Sequence, residues 1–297
     1  MDIINKSYSN AMIKLLFVVL YITFIVPCWS QRHPMPLSGM DISKYKVVDH
    51  SKFHVTYFLE FKYTPQKESY YSDIRIVQVG SKVVKDFSRT MNHGDSITTL
   101  HIKKGAKTLE NLSPGKIYPY EIFNNYEKGK CLTTYRTFMQ GPVLRYFDEQ
   151  PIFVWELKNE TEMILGYQCQ LATTHFAGRD YKAWFARELP VNGGPYKFNG
   201  LPGFILKVEE SNRFFVWTAT GISNMNEPIV EYEIKNGYQN CTKTQAEDLI
   251  KKMFNSPMQF SLSLNPNSEN YVINKDGSVT KAKIKDEKPI PYEPLEQ

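Results

Sequence analysis

Along residues 53–63 apolar and polar side chains alternate. Val55, Tyr57, Leu59, Phe61 and Tyr63 fall on one face, with Thr56, Glu60 and Lys62 on the other. Period two over that length predicts a strand. Shorter runs recur at 73–79, 82–87, 98–103, 118–123 and 132–138, punctuated by Gly80, Gly94, Gly115 and Gly129. This spacing predicts an antiparallel meander and not βαβ units. Further on, Phe153, Trp155 and Leu157 alternate, as do Tyr167, Cys169, Leu171 and Thr173. A turn at Ala177, Gly178, Arg179 and Asp180 precedes a strand at 181–186, which makes a hairpin. Runs at 204–208 and 213–220 form a second hairpin about Ser211 and Asn212, and 271–284 a third about Asp276 and Gly277.

One segment has helical spacing. Over 244–254, Ala246, Leu249, Ile250, Met253 and Phe254 share a face. Thr244 and Glu247 there have the S/T-x-x-E arrangement, in which each side chain satisfies an open amide of the first turn. Pro289, Pro291 and Pro294 predict an extended, mobile end.

The first thirty residues have a different pattern. Lys6 and Lys14 precede an unbroken apolar run at 15–26, and Cys28 and Ser30 are small residues placed for cleavage before Gln31. This is the layout of a secretory signal, and the run is well short of the roughly 20 residues that span a bilayer. A start at Met12 would make the signal more ordinary still. Two alternatives stand beside it: a lipid on Cys28, which Pro27 fits poorly, and an uncleaved anchor. No later stretch is long and apolar enough to cross a membrane, so no transmembrane span is expected after the leader.

The chain is 42% hydrophobic and 14% aromatic, which describes a folded globular protein and excludes a disordered one. Its net charge of +5 is spread along the sequence, without the clustered basic footprint of a nucleic-acid binder. After the leader three cysteines remain, Cys131, Cys169 and Cys241. Export would allow one disulfide among three pairings and leave one thiol over.

The residues with the most local character lie at 188–203. Pro202 and Gly203 fit the centre of a type II turn, and Gly200 before Leu201 allows a second change of direction. Two readings stand: a rigid corner that fixes register, or a ledge for a ligand or partner. For the ledge the binding residues are Trp184, Pro195, Tyr196, Phe198, Gly200, Leu201, Pro202 and Gly203, with Trp184, Tyr196 and Phe198 offering apolar surface, although these aromatics would serve equally as core.

Several linked features here carry a family resemblance. They run in order: Trp155; Gly166, Tyr167, Cys169 and Ala172; Trp184; Glu188 and Pro190; Gly194 and Pro195; Tyr196, Lys197 and Phe198; then the hexapeptide from Gly200 to Ile205. Over about 147–255 the chain resembles the GLPGLI family of exported bacterial proteins, known mainly from Bacteroidota. Phe204 replaces the usual Leu, and Ala186 stands where a hydroxyl residue is common. The family has no settled activity, so the resemblance implies export and fold more than chemistry.

Reactive constellations are weak. There is no G-x-S-x-G elbow. Cys169 sits mid-strand among core-like neighbours, where a thiol is usually a small hydrophobe, and His175 is about 20 Å further along the same strand. His50 and His54 lie in a strand about 13 Å apart, too far to share a metal. His93, beside Asn92, Gly94 and Asp95, reads as a turn residue. Asp180 and Glu188 could form an acid–base pair near the Gly-rich loop, but Arg179 and Arg187 are as close, which favours charge pairing on a wet rim.

The expected fold is mainly β: a curved antiparallel sheet or open β-barrel meander with one packed C-terminal helix at about 244–254. The expected organisation is a signal peptide at 1–30, a flexible leader at 31–43, a single β-rich domain at 44–262 with a GLPGLI-like core at about 147–255, and a C-terminal hairpin and extended tail at 263–297. The expected function is that of an exported envelope protein that binds an apolar ligand or an outer-membrane protein without catalysis. No metal, cofactor or nucleic acid is called for, and the destination is the periplasm, the outer membrane or the exterior. An exported hydrolase using carboxylates near the Gly/Pro loop, Asp180 and Glu188 or residues that meet only in three dimensions, is the alternative, together with an interaction module that pairs through an exposed edge strand.

Overall fold

The computed structural model describes residues 37–65, 69–106, 111–112, 117–138, 141–266, 271–273, 278–281 and 287–297. The signal segment, the beginning of the leader, Gly115 and the turn at Asp276 and Gly277 lie outside them. The strands in chain order are β1 (Leu37–Ser38), β2 (Tyr45–Phe61), β3 (Tyr71–Gly80), β4 (Val84–Ser88), β5 (Asn111–Leu112), β6 (Tyr120–Glu127), β7 (Lys130–Arg136), β8 (Val143–Glu149) and β9 (Glu156–Ile164). They continue with β10 (Tyr167–Phe176), β11 (Arg179–Ala186), β12 (Phe204–Glu210), β13 (Phe215–Ser223), β14 (Pro228–Tyr232), β15 (Gln239–Asn240), β16 (Tyr271–Ile273) and β17 (Val279–Lys281). Three helices are described: α1 (Arg89–Lys103), α2 (Lys243–Asn255) and α3 (Pro257–Leu264).

Thirteen strands make one open sheet in the order β15-β8-β7-β6-β4-β3-β2-β13-β12-β11-β10-β9, with β14 added beside β2. All its pairings are antiparallel except β15 with β8. The alternation that predicted β2 is the core pattern: Val55, Tyr57, Leu59 and Phe61 are fully buried. Hairpin β10–β11 closes through Ala177 and Gly178, both at positive φ, with Phe176 opposite Arg179. That is the backbone a two-residue hairpin matches to strand twist.

The sheet is strongly curved. β6 and β13 are four places apart in its order, about 19 Å if it were flat. Yet the single ring of Tyr196 lies 5.6 Å from Tyr120 on β6 and 6.3 Å from Trp217 on β13. The mainly β, open, curved architecture is therefore the expected one, and its two end strands do not pair with each other.

Some local expectations are corrected. Residues 98–103 are not a strand but the end of α1, and His93 is an exposed helical residue rather than a turn. Thr98, Thr99 and Ile102 are β-branched residues that favour extended backbone. However, Met91, Asp95, Thr98 and Thr99 recur at helical spacing on the buried face, and the Ser88 hydroxyl accepts the Met91 amide as N-cap. That face escaped notice because it is polar. Asp95 accepts from Arg136 and from the Met40 amide, and Thr99 from the Ile42 amide. Residues 37–43 are thus pinned to α1, and Leu37 is buried.

The cap of α2 sits two residues earlier than expected. Thr242 and Gln245, not Thr244 and Glu247, exchange the side chain–amide bonds. Glu247 instead faces Lys243 at 3.8 Å. Residues 151–155 precede β9 rather than continuing it, since Phe153 turns inward against Phe176 and Phe198. Cys131, Cys169 and Cys241 are all free thiols. The proline-bearing end, 287–297, is extended but docked: Tyr292 stacks on Phe254 at 4.1 Å and Leu295 is buried.

Candidate functional site

The loop 188–203 fills the concave side of the sheet. Tyr196 and Phe198 point inward, and Phe198 contacts Phe153, Tyr181 and Trp217 at 4.9 to 5.8 Å. Pro195, Tyr196, Phe198, Leu201 and Gly203 are buried, whereas Gly200 and Pro202 are exposed. Trp184 is half-buried elsewhere, on the alternate side of β11, with the Lys207 ammonium 4.4 Å above its ring. The structure therefore gathers most of the sequence-selected residues into the core and separates Trp184 from them.

The corner is not a type II turn. The Gly203 amide donates to the Leu201 carbonyl across Pro202 at 2.9 Å, the bond of a γ-turn, and Gly203 has φ +157°. A Cβ on Gly203 would lie 2.2 Å from the Ala186 carbonyl oxygen. Close approach to β11 is thus what demands glycine here. Gly200, at φ +88°, lies against the Trp155 indole, whose N–H donates to the Asn199 carbonyl at 2.7 Å.

Two buried ionic clusters flank this loop, and Tyr196 joins them. In the first, Arg75 donates from Nε to Asp86 at 2.9 Å and from Nη1 to Asp73 at 3.2 Å. Its remaining donors reach the carbonyls of Tyr118 and Tyr120. All three charged side chains are fully buried or nearly so. Burial pushes the Asp73 carboxyl up, and Arg75 partly offsets it. Asp86 also accepts the Tyr196 amide at 2.7 Å. That bond holds Tyr196 at φ +55°, an uncommon value for a residue with a side chain.

In the second cluster the Tyr196 hydroxyl donates to Glu296 at 2.5 Å, and Lys197 donates to Glu296 at 2.8 Å and to Asp148 at 2.6 Å. Lys243 completes it with a bond to Glu296. Between this cluster and the sheet lies a cavity of about 60 Å³ walled by Tyr118, Tyr120, Tyr135, Tyr146, Tyr196 and Tyr292.

Burial alone would raise the Glu296 carboxyl, but Lys197, Lys243 and Tyr196 outweigh it and hold the group at about 2. A depressed folded value contributes stability above the ordinary value of 4.5, and that contribution disappears as pH falls through about 2. Docking of 287–297 should therefore persist down to about pH 4.5 and be lost between there and pH 2. Pepsin cleavage near Leu295 across that window would report it, and Glu296→Gln should abolish the pH-dependent step. A wild-type cleavage rate constant from pH 4.5 to 2, relative to a control peptide, would contradict it.

The residues considered for chemistry are placed apart. Asp180 and Glu188 stand at opposite ends of β11, separated by about 20 Å of strand, and both face solvent. Asp180 pairs with His175 at 2.7 Å, an exposed contact. Arg179, expected on a wet rim, is buried between Glu293 and Glu210. Burial pushes the Cys169 thiol up to about 11 and Cys131 up to about 12, away from the reactive thiolate. His54 bonds Ser51 at 2.8 Å and is held low by burial.

Sequence reasoning missed Asp73, Arg75, Asp86 and Lys197. The signal was present, because Asp73 and Arg75 share the period-two face of Val77 and Val79.

The family model described as N-glycanase peptide, N-terminal domain, matches residues 89–247, more than half of the chain. Two solved structures of PNGF-II, in different space groups, are similar at 17% and 18% identity with TM-scores of 0.46 and 0.45. Each comparison covers 68% of this chain, which spans about a third (33%) of the PNGF-II chain. No curated protein matches.

Proposed function

The chain belongs to the N-glycanase peptide, N-terminal domain, family, and from that membership we propose that it is an exported β-domain of a glycanase-like protein that binds rather than cleaves. One observation carries this reading. Asp180 and Glu188, the acid–base pair that the sequence offers, lie far apart in water, while tyrosines of the neighbouring strands β6, β7 and β8 meet Tyr196 of the loop and Tyr292 of the tail around one cavity. Tyrosine offers an apolar face and a hydroxyl together, the surface of a recognition site. The basic-then-apolar leader and the GLPGLI-like core support delivery to the periplasm, the outer membrane or the exterior.

The full chain, incubated with an N-glycosylated peptide, is expected to release no glycan by mass spectrometry. Release that Asp180→Asn or Glu188→Gln abolishes would reverse the reading in favour of a hydrolase.

A second reading has its own support. β9 is the end strand of the sheet; Leu157 and Met163 on it are exposed, as are Ile152 and Val154 before it and Leu165 after it. Such an edge pairs readily with another strand.

A further inference from the structure

Residues 287–297 lie in their cleft as a bound peptide would. They form no strand with the sheet, and Pro291 and Pro294 lack the amides a ladder needs. Side chains of the domain read this segment instead, residue by residue. Tyr118 donates its hydroxyl to the Glu293 carbonyl at 2.9 Å, Arg179 to the Pro294 carbonyl at 2.8 Å, and Tyr181 to the Leu295 carbonyl at 3.3 Å. Two of the segment's three acidic side chains meet cations: Glu293 pairs with Arg179, and Glu296 with Lys197 and Lys243, while Glu287 accepts the Met258 amide. Tyr292 stacks on Phe254, and the ends are pinned by the Ile290 amide on Phe254 and the Gln297 amide on Ala177. Backbone carbonyls held at intervals, an aromatic side chain stacked on the wall of the cleft and acids on basic side chains are the elements of extended-peptide recognition.

The reading groups are held in place without the segment. Arg179 sits 5.5 and 5.4 Å from the Phe214 and Phe215 rings and faces Glu210, and Lys197 has Asp148. Nor is the segment a complete occupant. Arg179 Nε and Asp148 Oδ1, a donor and an acceptor in the two cationic subsites, are buried without a hydrogen-bond partner among the described residues. The tyrosine-walled cavity remains between Leu295 and the sheet.

We propose that this cleft is a recognition site for an extended, acidic, proline-bracketed peptide segment of a partner protein, and that residues 290–297 occupy it as a competitor in cis. The proposal rests on the reading of the chain as a binding domain and names its ligand class. A tethered competitor acts at an effective concentration on the order of millimolar, so a partner gains the site by exceeding that concentration or by supplying more contacts, such as an acceptor for Arg179 and a donor for Asp148.

The probe is a synthetic, fluorescent peptide with the sequence of residues 290–297. Added in excess to the wild-type full chain, it should displace the segment and remove hydrogen-exchange protection from the Ile290 and Gln297 amides. In a full-length variant with Leu295→Ala and Glu296→Lys, whose own segment binds poorly, polarisation should detect the peptide at a concentration at least tenfold lower than in wild type. Adding Lys243→Glu, at a half-exposed position, should abolish capture. Unchanged protection in the wild-type chain would overturn the proposal, as would equal displacement by a scrambled peptide. The wild-type arm decides even if the variant fails to fold, and none of these outcomes depends on glycan release.

Discussion

Arg75→Met is expected to destabilise the protein by about 3–5 kcal/mol, because it leaves two carboxylates in the core without their cation. Asp73 and Asp86 both rely on the guanidinium, which also ties strand β3 to the carbonyls of Tyr118 and Tyr120. Methionine fills much of the same volume, so the loss would report charge and hydrogen bonding more than a cavity. The sign of its pH dependence follows from burial. Burial already raises the Asp73 carboxyl and Arg75 partly offsets it; without the guanidinium its folded value rises further above the unfolded one, so the variant holds most of its stability at low pH and loses it as pH rises. Urea unfolding at pH 5 and pH 7 measures both effects. A loss below about 1 kcal/mol, equal at the two pH values, would mean the cluster holds nothing together. Replacing all three charges by apolar residues should restore only part of the loss, because Asp86 also accepts the Tyr196 amide.

Gly203→Ala is expected to cost about 3 kcal/mol or more, by overpacking and backbone strain together. The new methyl would stand 2.2 Å from the Ala186 oxygen and 2.7 Å from its carbonyl carbon. Neither is a side chain that can swing away, since Ala186 pairs with Phe204 in the β11–β12 ladder. Gly200→Ala provides the contrast. Its methyl would meet only the Trp155 indole at 3.5 Å, so positive φ alone sets a cost of about 1–2 kcal/mol. Thermal unfolding of the two variants separates close approach from backbone conformation. Equal shifts would show that the γ-turn at Pro202 relaxes and that the contact with β11 is not required.

Much of this fold was legible before any coordinates. Val55, Tyr57, Leu59 and Phe61 announced β2, and Ala177 with Gly178 announced the β10–β11 hairpin, because strand alternation and hairpin geometry are set by neighbours within a few residues. Helix α1 was hidden for a complementary reason. Its buried face carries Asp95, Thr98 and Thr99, whose acceptability in the interior depends on Arg136 and on the Met40 and Ile42 amides. Hydropathy does not register a polar face that is satisfied by distant partners. The cap of α2 was recognised in kind but two residues late, since Thr242 and Thr244 both satisfy the same pattern.

The candidate site divides in the same way. The loop at 188–203 stood out by its glycines and prolines, but its direction did not. Tyr196 and Phe198 suit an exposed ledge and a core equally, and only the curvature that brings β6 and β13 onto one ring places them inside. The proline-bearing end looked mobile because proline forbids a ladder, and nothing local shows that Tyr118, Arg179, Tyr181 and Lys197 converge to hold it.

By itself, then, the order of residues determined the strands, their alternation, the hairpin turns and the α2 amphipathic face. These depend on contacts over one or two turns of backbone. The tertiary structure alone decided which polar side chains lie in the core, which glycine is forced by close approach, and where the final segment docks. Each of those is settled by a partner far away in the chain, and the energy of a buried charge or a close contact is not defined until that partner is in place.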